Sequence, residues 1–133
     1  TMMTGELFAL LQRHSVLAPQ MKGDAADGPA FRRGVEIALS GVAPQSALFG
    51  IRARHVLGQD DGDGASFASG ILIGSEVAAG LRQAGGGEVT VIGRGDLAAL
   101  YAVALTMAGR ESRTVDGSAA FLAGMTVIRD IAQ

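Results

Sequence analysis

The chain has 133 residues, enough for one domain of ordinary size, and its composition of 48% apolar and 18% charged residues excludes a disordered tail. The net charge is −2 at pH 7 and the basic residues are scattered, which excludes a nucleic-acid groove. There is no cysteine, so disulfides and thiolate metal sites are excluded as well.

No segment has the pattern of a secretion signal or a membrane span. The first 18 residues carry Glu6, Arg13 and His14 and lack an apolar core. The uncharged stretches 65–75 and 97–109 are shorter than the roughly 20 residues that cross a bilayer. We therefore expect a cytoplasmic protein with neither a membrane nor a nucleic acid as its partner.

Four helices are predicted in the first two-thirds of the chain. Leucines at helical spacing follow Thr4, which we expect to cap a first helix. Pro29 is typical of the first turn of a second helix, and Gly41 of its end. A third helix is predicted over residues 44–58 and a fourth over 65–84.

The fourth predicted helix contains two glycines that lower its intrinsic stability. Gly70 and Gly74 each cost about 1 kcal/mol of helix propensity relative to alanine. A sequence tolerates such a cost where a second backbone must approach closely. The pattern therefore predicts tight packing of another element against this face.

The last third of the chain changes to a strand–helix–strand–helix pattern. The strands are predicted over 88–93 and 112–117, and Ser118 is a plausible cap for the closing helix over 118–133. Two strands do not form an independently stable sheet, even when a helix joins them. We therefore expect further strands from outside this stretch.

Residues 89–101 have the sequence VTVIGRGDLAALY, which is a short strand, a tight turn and the start of a helix. Gly93, Gly95 and Ala98 match the dinucleotide pattern G-x-G-x-x-G/A, and Asp116 ends the next strand about 20 residues later. The residues leave three interpretations open: a turn without a ligand, a site for some nucleotide, or an NAD site in a Rossmann-like oxidoreductase fragment.

Three observations weigh against NAD. The turn follows a large helical region, whereas the fingerprint normally lies on the first strand of its fold. Only one strand–helix–strand unit is present. Asp96, at the start of the helix, would repel a pyrophosphate but can bond to a neutral ribose or adenine.

A few charged side chains are candidates for substrate binding. Arg52 and Arg54 are two residues apart on a predicted helix, so they point in different directions, and either can bind a carboxylate or phosphate or lie on the solvated surface. Glu6 can face a ligand or interact with the helix dipole. His14 and His55 have no partner at ligand spacing, and no metal site is expected.

Six segments, taken in order, resemble the carboxy-terminal half of the 2-dehydro-3-deoxygalactonokinase family. They are TMMTGELFALLQRHSVL, FRRGVEIALS, LFGIRARHVLG, SGILIGSEVAAG, VIGRGDLAALYAVAL and VDGSAAFLAGMTVI. The resemblance implies an α/β fold, namely the helix-rich second lobe of an actin-like ATPase (ribonuclease H-like) fold with an incomplete sheet. Residues 1–133 would then be the carboxy-terminal, adenosine-binding lobe of a two-lobed sugar kinase, and the amino-terminal lobe would be absent.

The resemblance also implies a reaction, in which the γ-phosphate of ATP moves to the 6-hydroxyl of 2-dehydro-3-deoxy-D-galactonate with the help of Mg²⁺. The partners would be this sugar acid and the missing lobe, with a homodimer left open. No catalytic residue is expected in this chain, which alone would be inactive. The expected adenosine-binding residues are Gly93, Arg94, Gly95 and Asp96, and the substrate-binding candidates are Glu6, Arg52 and Arg54.

Two alternatives to a kinase remain at the level of the sequence. One is the dinucleotide-binding oxidoreductase fragment described above. The other is a helical interaction domain without catalytic activity.

Overall fold

The structure is a computed structural model that describes residues 2–60 and 62–131. The chain divides into two compact units, residues 1–85 and residues 86–133. The first unit is helical, and the second contains the strands.

The first unit consists of four helices and a short 3-10 turn. The helices are α1 (Thr4–His14), α2 (Pro29–Leu39), α3 (Pro44–Val56) and α4 (Gly64–Gln83), and the turn Ala18–Gln20 follows α1. The four predicted helices are confirmed, and the 3-10 turn is an additional element that the sequence did not predict. Gly41 and Gly58 follow α2 and α3 with φ of +85° and +67°, the left-handed conformation that ends a helix.

Helix α4 is the centre of the first unit, because α1, α2 and α3 all pack against it. Every residue from Gly64 to Gly74 is buried. The apolar side chains around it form one core, which contains Leu17, Met21, Ala30, Ile51, Ala65, Phe67, Ala68 and Ile71. By length and hydropathy α4 meets the criteria for a membrane span, but 67% of that window is buried within the chain, as in the core helix of a globular unit.

Helices α2 and α4 approach each other closely at the predicted glycines. A Cβ added to Gly70 would lie 2.1 Å from the Phe31 carbonyl oxygen, and one added to Gly34 would lie 2.4 Å from the Phe67 carbonyl oxygen. At Gly74 an added Cβ would lie 3.0 Å from the Val35 Cα. The prediction of a close backbone at Gly70 and Gly74 is therefore confirmed.

The start of α1 differs from the sequence expectation. Met3, not Thr4, occupies the N-cap position, and no side chain caps the helix. The Thr4 hydroxyl instead donates a hydrogen bond to the Glu76 carboxylate on α4. The predicted cap at Thr4 was wrong because this long-range acceptor, which spacing along the chain does not reveal, takes the hydroxyl.

The second unit is a strand–helix–strand–helix arrangement, as predicted. Its elements are β1 (Val89–Gly93), α5 (Gly95–Met107), β2 (Ser112–Asp116) and α6 (Gly117–Ile131). The two strands pair in parallel, with Val89 opposite Ser112 and Gly93 opposite Asp116. The chain is thus a helix-rich α/β protein with a small parallel sheet of two strands.

Helix α6 begins one residue earlier than predicted. The Asp116 Oδ1 accepts a hydrogen bond from the Ala119 N–H at 2.9 Å, so Asp116 caps the helix and the expectation for Ser118 was wrong. Residues 132 and 133 of the predicted helix lie outside the described residues.

The apolar side chains of α6 are exposed to solvent. The described part of the helix contains no buried residue. Its large apolar side chains are between 50% and 80% exposed; they are Phe121, Leu122, Met125, Val127, Ile128 and Ile131. An apolar surface of this kind is typical of a face that another element covers.

Candidate functional site

The turn between β1 and α5 lies at the carboxyl end of the sheet. Gly93 ends the strand, Arg94 is the N-cap residue in an extended conformation, and Gly95 is the first residue of the helix. A Cβ added to Gly93 or Gly95 would meet no atom within 4 Å. The backbone of this turn is therefore open to a ligand, and the side chain of the N-cap residue Arg94 does not cap the helix.

The charged side chains of the turn bind each other. Arg94 Nε donates to Asp96 Oδ1 at 2.9 Å, and Arg94 Nη2 donates to Asp96 Oδ2 at 3.0 Å. The Arg94 guanidinium and the Leu97 N–H together hold the pKa of Asp96 below its ordinary value of 3.8. The bidentate pair is exposed and carries no net charge. Asp96 can therefore still accept a hydrogen bond at the start of the helix, and it repels an anion less than an unpaired carboxylate does.

The sheet register brings Asp116 next to this turn. Gly93 pairs with Asp116, and a Cβ on Gly117 would come within 3.5 Å of the Gly93 Cα. The Asp116 carboxylate, however, already accepts the N–H of Ala119. Because Asp116 caps α6, an acidic residue at this position is explained even if no ribose binds there.

The two candidate arginines of α3 have different environments. The Arg54 guanidinium carbon lies 4.3 Å from the centre of the Phe67 ring, and that of Arg33 on α2 lies 5.0 Å from the same centre. Both cations cover a ring that is buried in the core. Arg54 therefore has a structural contact, and sequence spacing alone did not single out Arg33 as its neighbour on the ring.

Arg52 is half-buried, and within the described residues its side chain has no hydrogen-bond or ion-pair partner. Glu6 lies in the first turn of α1 and is exposed. The two residues are on different helices, each of which packs against α4. The expectation that Arg52 and Arg54 point in different directions agrees with their different surroundings.

His55 has a partner that the sequence analysis did not assign. Its Nδ1 lies 2.9 Å from Asp60 Oδ2 just beyond the end of α3. Asp60 Oδ1 also accepts the Gly62 N–H at 3.0 Å, which fixes the carboxylate in the loop. The sequence signal for this contact is an aspartate five residues after the histidine, with the glycine that ends the helix between the two.

Acidic and imidazole side chains do not gather into a metal centre in the part of the chain that the structure describes. Across residues 2–60 and 62–131, no three His, Cys, Asp or Glu side chains are arranged to hold an ion.

Comparison with known proteins identifies the family. The sequence model of the 2-keto-3-deoxy-galactonokinase family matches residues 1–128. The 2-dehydro-3-deoxygalactonokinase of Escherichia coli K12 is 38% identical over 131 residues, which are 96% of this chain and 44% of that protein. A protein of Rhizobium meliloti 1021 assigned to the same activity is 36% identical over 132 residues, or 95% of this chain and 43% of the relative.

A solved structure gives the same result. A crystal structure of a Sinorhizobium meliloti protein, also assigned as a 2-dehydro-3-deoxygalactonokinase, superposes with a TM-score of 0.83 at 34% identity. The match covers 94% of this chain and 44% of that one. The dinucleotide-binding oxidoreductase finds no support in these comparisons.

The chain thus spans less than half the length of the curated relatives it matches, and the matched part is their carboxy-terminal part. The family model nevertheless covers almost all of the chain, and the structural match extends over both of its units. The chain belongs to the 2-keto-3-deoxy-galactonokinase family.

Proposed function

We propose that this chain is the carboxy-terminal, adenosine-binding lobe of a two-lobed cytoplasmic kinase with the actin-like ATPase fold. The kinase transfers the γ-phosphate of ATP to the 6-hydroxyl of 2-dehydro-3-deoxy-D-galactonate. The observation that carries this proposal is the match of residues 1–128 to a family of kinases, within which the chain spans only the carboxy-terminal part. The amino-terminal lobe supplies the remaining strands of the sheet and the catalytic base.

The turn Gly93–Asp96 is the proposed adenosine site. Its support is the open backbone at Gly93 and Gly95, which lies at the N-terminus of α5. Asp96 accepts a ribose hydroxyl, and the planar Arg94 guanidinium is suited to stack on the adenine. Since Asp96 is paired with Arg94, the turn does not present the excess positive charge that a pyrophosphate would favour.

Phosphoryl transfer depends on positioning and on neutralisation of charge rather than on covalent chemistry of the protein. In this proposal Mg²⁺ would bind together with the phosphates of ATP, and its protein ligands would lie in the amino-terminal lobe. Glu6, Arg52 and Arg54 are the candidates for contact with the sugar acid. Of the two arginines, Arg52 is better suited because Arg54 is engaged with Phe67.

The test is calorimetric titration of the complete kinase, meaning this chain with its amino-terminal lobe, with ATP and with NAD. We expect ATP binding and no NAD binding. Gly95→Val should raise the KM for ATP at least tenfold, since a branched side chain fills the open space over the turn, and should leave the KM for the sugar acid nearly unchanged. NAD binding that is lost in Asp116→Ala, without ATP binding, would overturn the assignment in favour of a dehydrogenase.

A further inference from the structure

Arg52 and His55 lie three residues apart on α3, so their side chains are neighbours on one face of the helix. Residues at this spacing have Cβ atoms about 5–6 Å apart. Arg54 points elsewhere, onto the Phe67 ring. The face of α3 that carries Arg52 and His55 thus joins a guanidinium and an imidazole within reach of one small molecule.

The guanidinium of this pair has hydrogen-bonding capacity that the chain does not use. Arg52 is half-buried, and no acceptor among the described residues binds its side chain. Partly buried guanidinium groups in proteins are normally paired, because the loss of hydration is otherwise uncompensated. A planar fork of N–H donors matches a carboxylate in bidentate geometry.

The imidazole of the pair is held in a defined orientation. A carboxylate only accepts hydrogen bonds, so the His55 Nδ1 that lies 2.9 Å from Asp60 Oδ2 is the nitrogen that carries the proton. In the neutral ring this leaves the lone pair on Nε2, on the opposite side of the imidazole. Asp60 is itself fixed by the Gly62 N–H, which makes it a positioning residue for the ring.

We propose that Arg52 and His55 form a subsite for a hydroxy acid, an inference that rests on the proposed kinase function. The Arg52 guanidinium donates two hydrogen bonds to the carboxylate of the sugar acid. His55 Nε2 accepts a hydrogen bond from a hydroxyl of the same molecule, and Asp60 holds the ring in the tautomer that this requires. The pair therefore selects a polyhydroxy acid over a neutral sugar.

The experiment measures binding of the sugar acid and of its neutral carboxamide to the complete kinase by calorimetry, with KM values for the acid and for ATP alongside. The wild-type protein should prefer the acid. Arg52→Gln should weaken binding of the acid about tenfold and abolish this preference, because the carboxamide never gained the charged interaction. The KM for ATP should not change.

His55→Ala should weaken binding of the acid and of the carboxamide equally, about fivefold, since both ligands keep the hydroxyl. His55→Gln should restore part of the loss, because the amide oxygen can accept the same bond. Arg32→Gln and His14→Gln serve as matched controls on exposed parts of α2 and α1, and neither should alter either ligand.

Thermal unfolding establishes that each variant is folded. If Arg52→Gln is not folded, Arg52→Met, which also removes the charge, gives the same comparison. A preference for the acid that persists without Arg52, or a parallel rise in the KM values for the acid and for ATP, would show that Arg52 acts only on the structure. A wild-type protein that neither binds nor phosphorylates the acid would instead overturn the kinase assignment, and the subsite with it.

Discussion

Gly70 lies where the backbones of α2 and α4 come closest. In Gly70→Ala the new Cβ would lie 2.1 Å from the Phe31 carbonyl oxygen, so the two helices must separate. We expect a loss of about 2 kcal/mol or more in the free energy of unfolding, because overpacking outweighs the gain in helix propensity. Urea unfolding of the chain measures this difference.

Gly80 on the same helix is the matched control, since a Cβ added there meets no atom within 4 Å. Gly80→Ala should leave the stability unchanged or raise it by up to about 1 kcal/mol. Equal destabilisation by the two substitutions would show that propensity or fraying, rather than the contact with Phe31, determines the effect.

Asp96 is the residue of the proposed adenosine site whose charge can be followed directly. The Arg94 guanidinium lowers the pKa of its carboxyl below 3.8 in the folded protein. The pair therefore contributes stability above the unfolded-state pKa, and this contribution is lost as the pH falls through the lower pKa of the folded state. The contribution to stability is small because both side chains are exposed.

In Arg94→Gln, the pKa of Asp96 should rise towards 3.8, and a carboxyl-carbon NMR titration reads it out. The hydrogen bond from the Leu97 N–H also lowers the pKa of Asp96 and remains in this variant, so the pKa should not rise fully to 3.8. An Asp96 pKa that does not respond to the loss of Arg94 would remove the argument that the turn is a neutral pair.

At the scale of elements, α6 has more exposed large apolar side chains than any other helix in the described part of the chain. Phe121, Met125 and Ile128 follow the spacing of one helical face and are 67%, 50% and 63% exposed. The two-stranded sheet beside it also has unpaired edges. We expect the isolated chain to self-associate through these surfaces, which the amino-terminal lobe of the proposed kinase would cover.

Ile128→Glu should reduce this self-association, as measured by sedimentation velocity over a range of concentrations. Thr126→Glu adds the same charge to α6 away from the apolar face and should have a smaller effect. A wild-type chain that is monomeric at every concentration would contradict the expectation of an uncovered interface.

At the scale of the whole molecule, the length of the chain limits its chemistry. It corresponds to 44% of the Escherichia coli relative, and we place the phosphate-binding lobe and the base in the remainder. The isolated chain should therefore show no ATP-dependent phosphorylation of 2-dehydro-3-deoxygalactonate in a coupled assay, and the complete kinase should show it. Turnover by the 133 residues alone would contradict both the two-lobed arrangement and the position of the base.

Much of the local structure was predictable because its causes are local. Prolines at 29 and 44 and glycines at 41 and 58 fix where α2 and α3 begin and end through their own backbone preferences. The strand–turn–helix of residues 89–107 followed from a β-branched run and two glycines. The open turn at Gly93–Asp96 could be proposed as a site on the same grounds.

The sequence by itself thus determined the order of the helices and strands, the glycines at which backbones meet and, through the resemblance, the family. Only the tertiary structure decided which partner each polar side chain has: Glu76 for Thr4, Phe67 for Arg54 and Asp60 for His55. The physical reason is that backbone preferences act over a few residues. A hydrogen bond or ring contact instead depends on which helix packing brings within about 3–6 Å, whatever the separation along the chain.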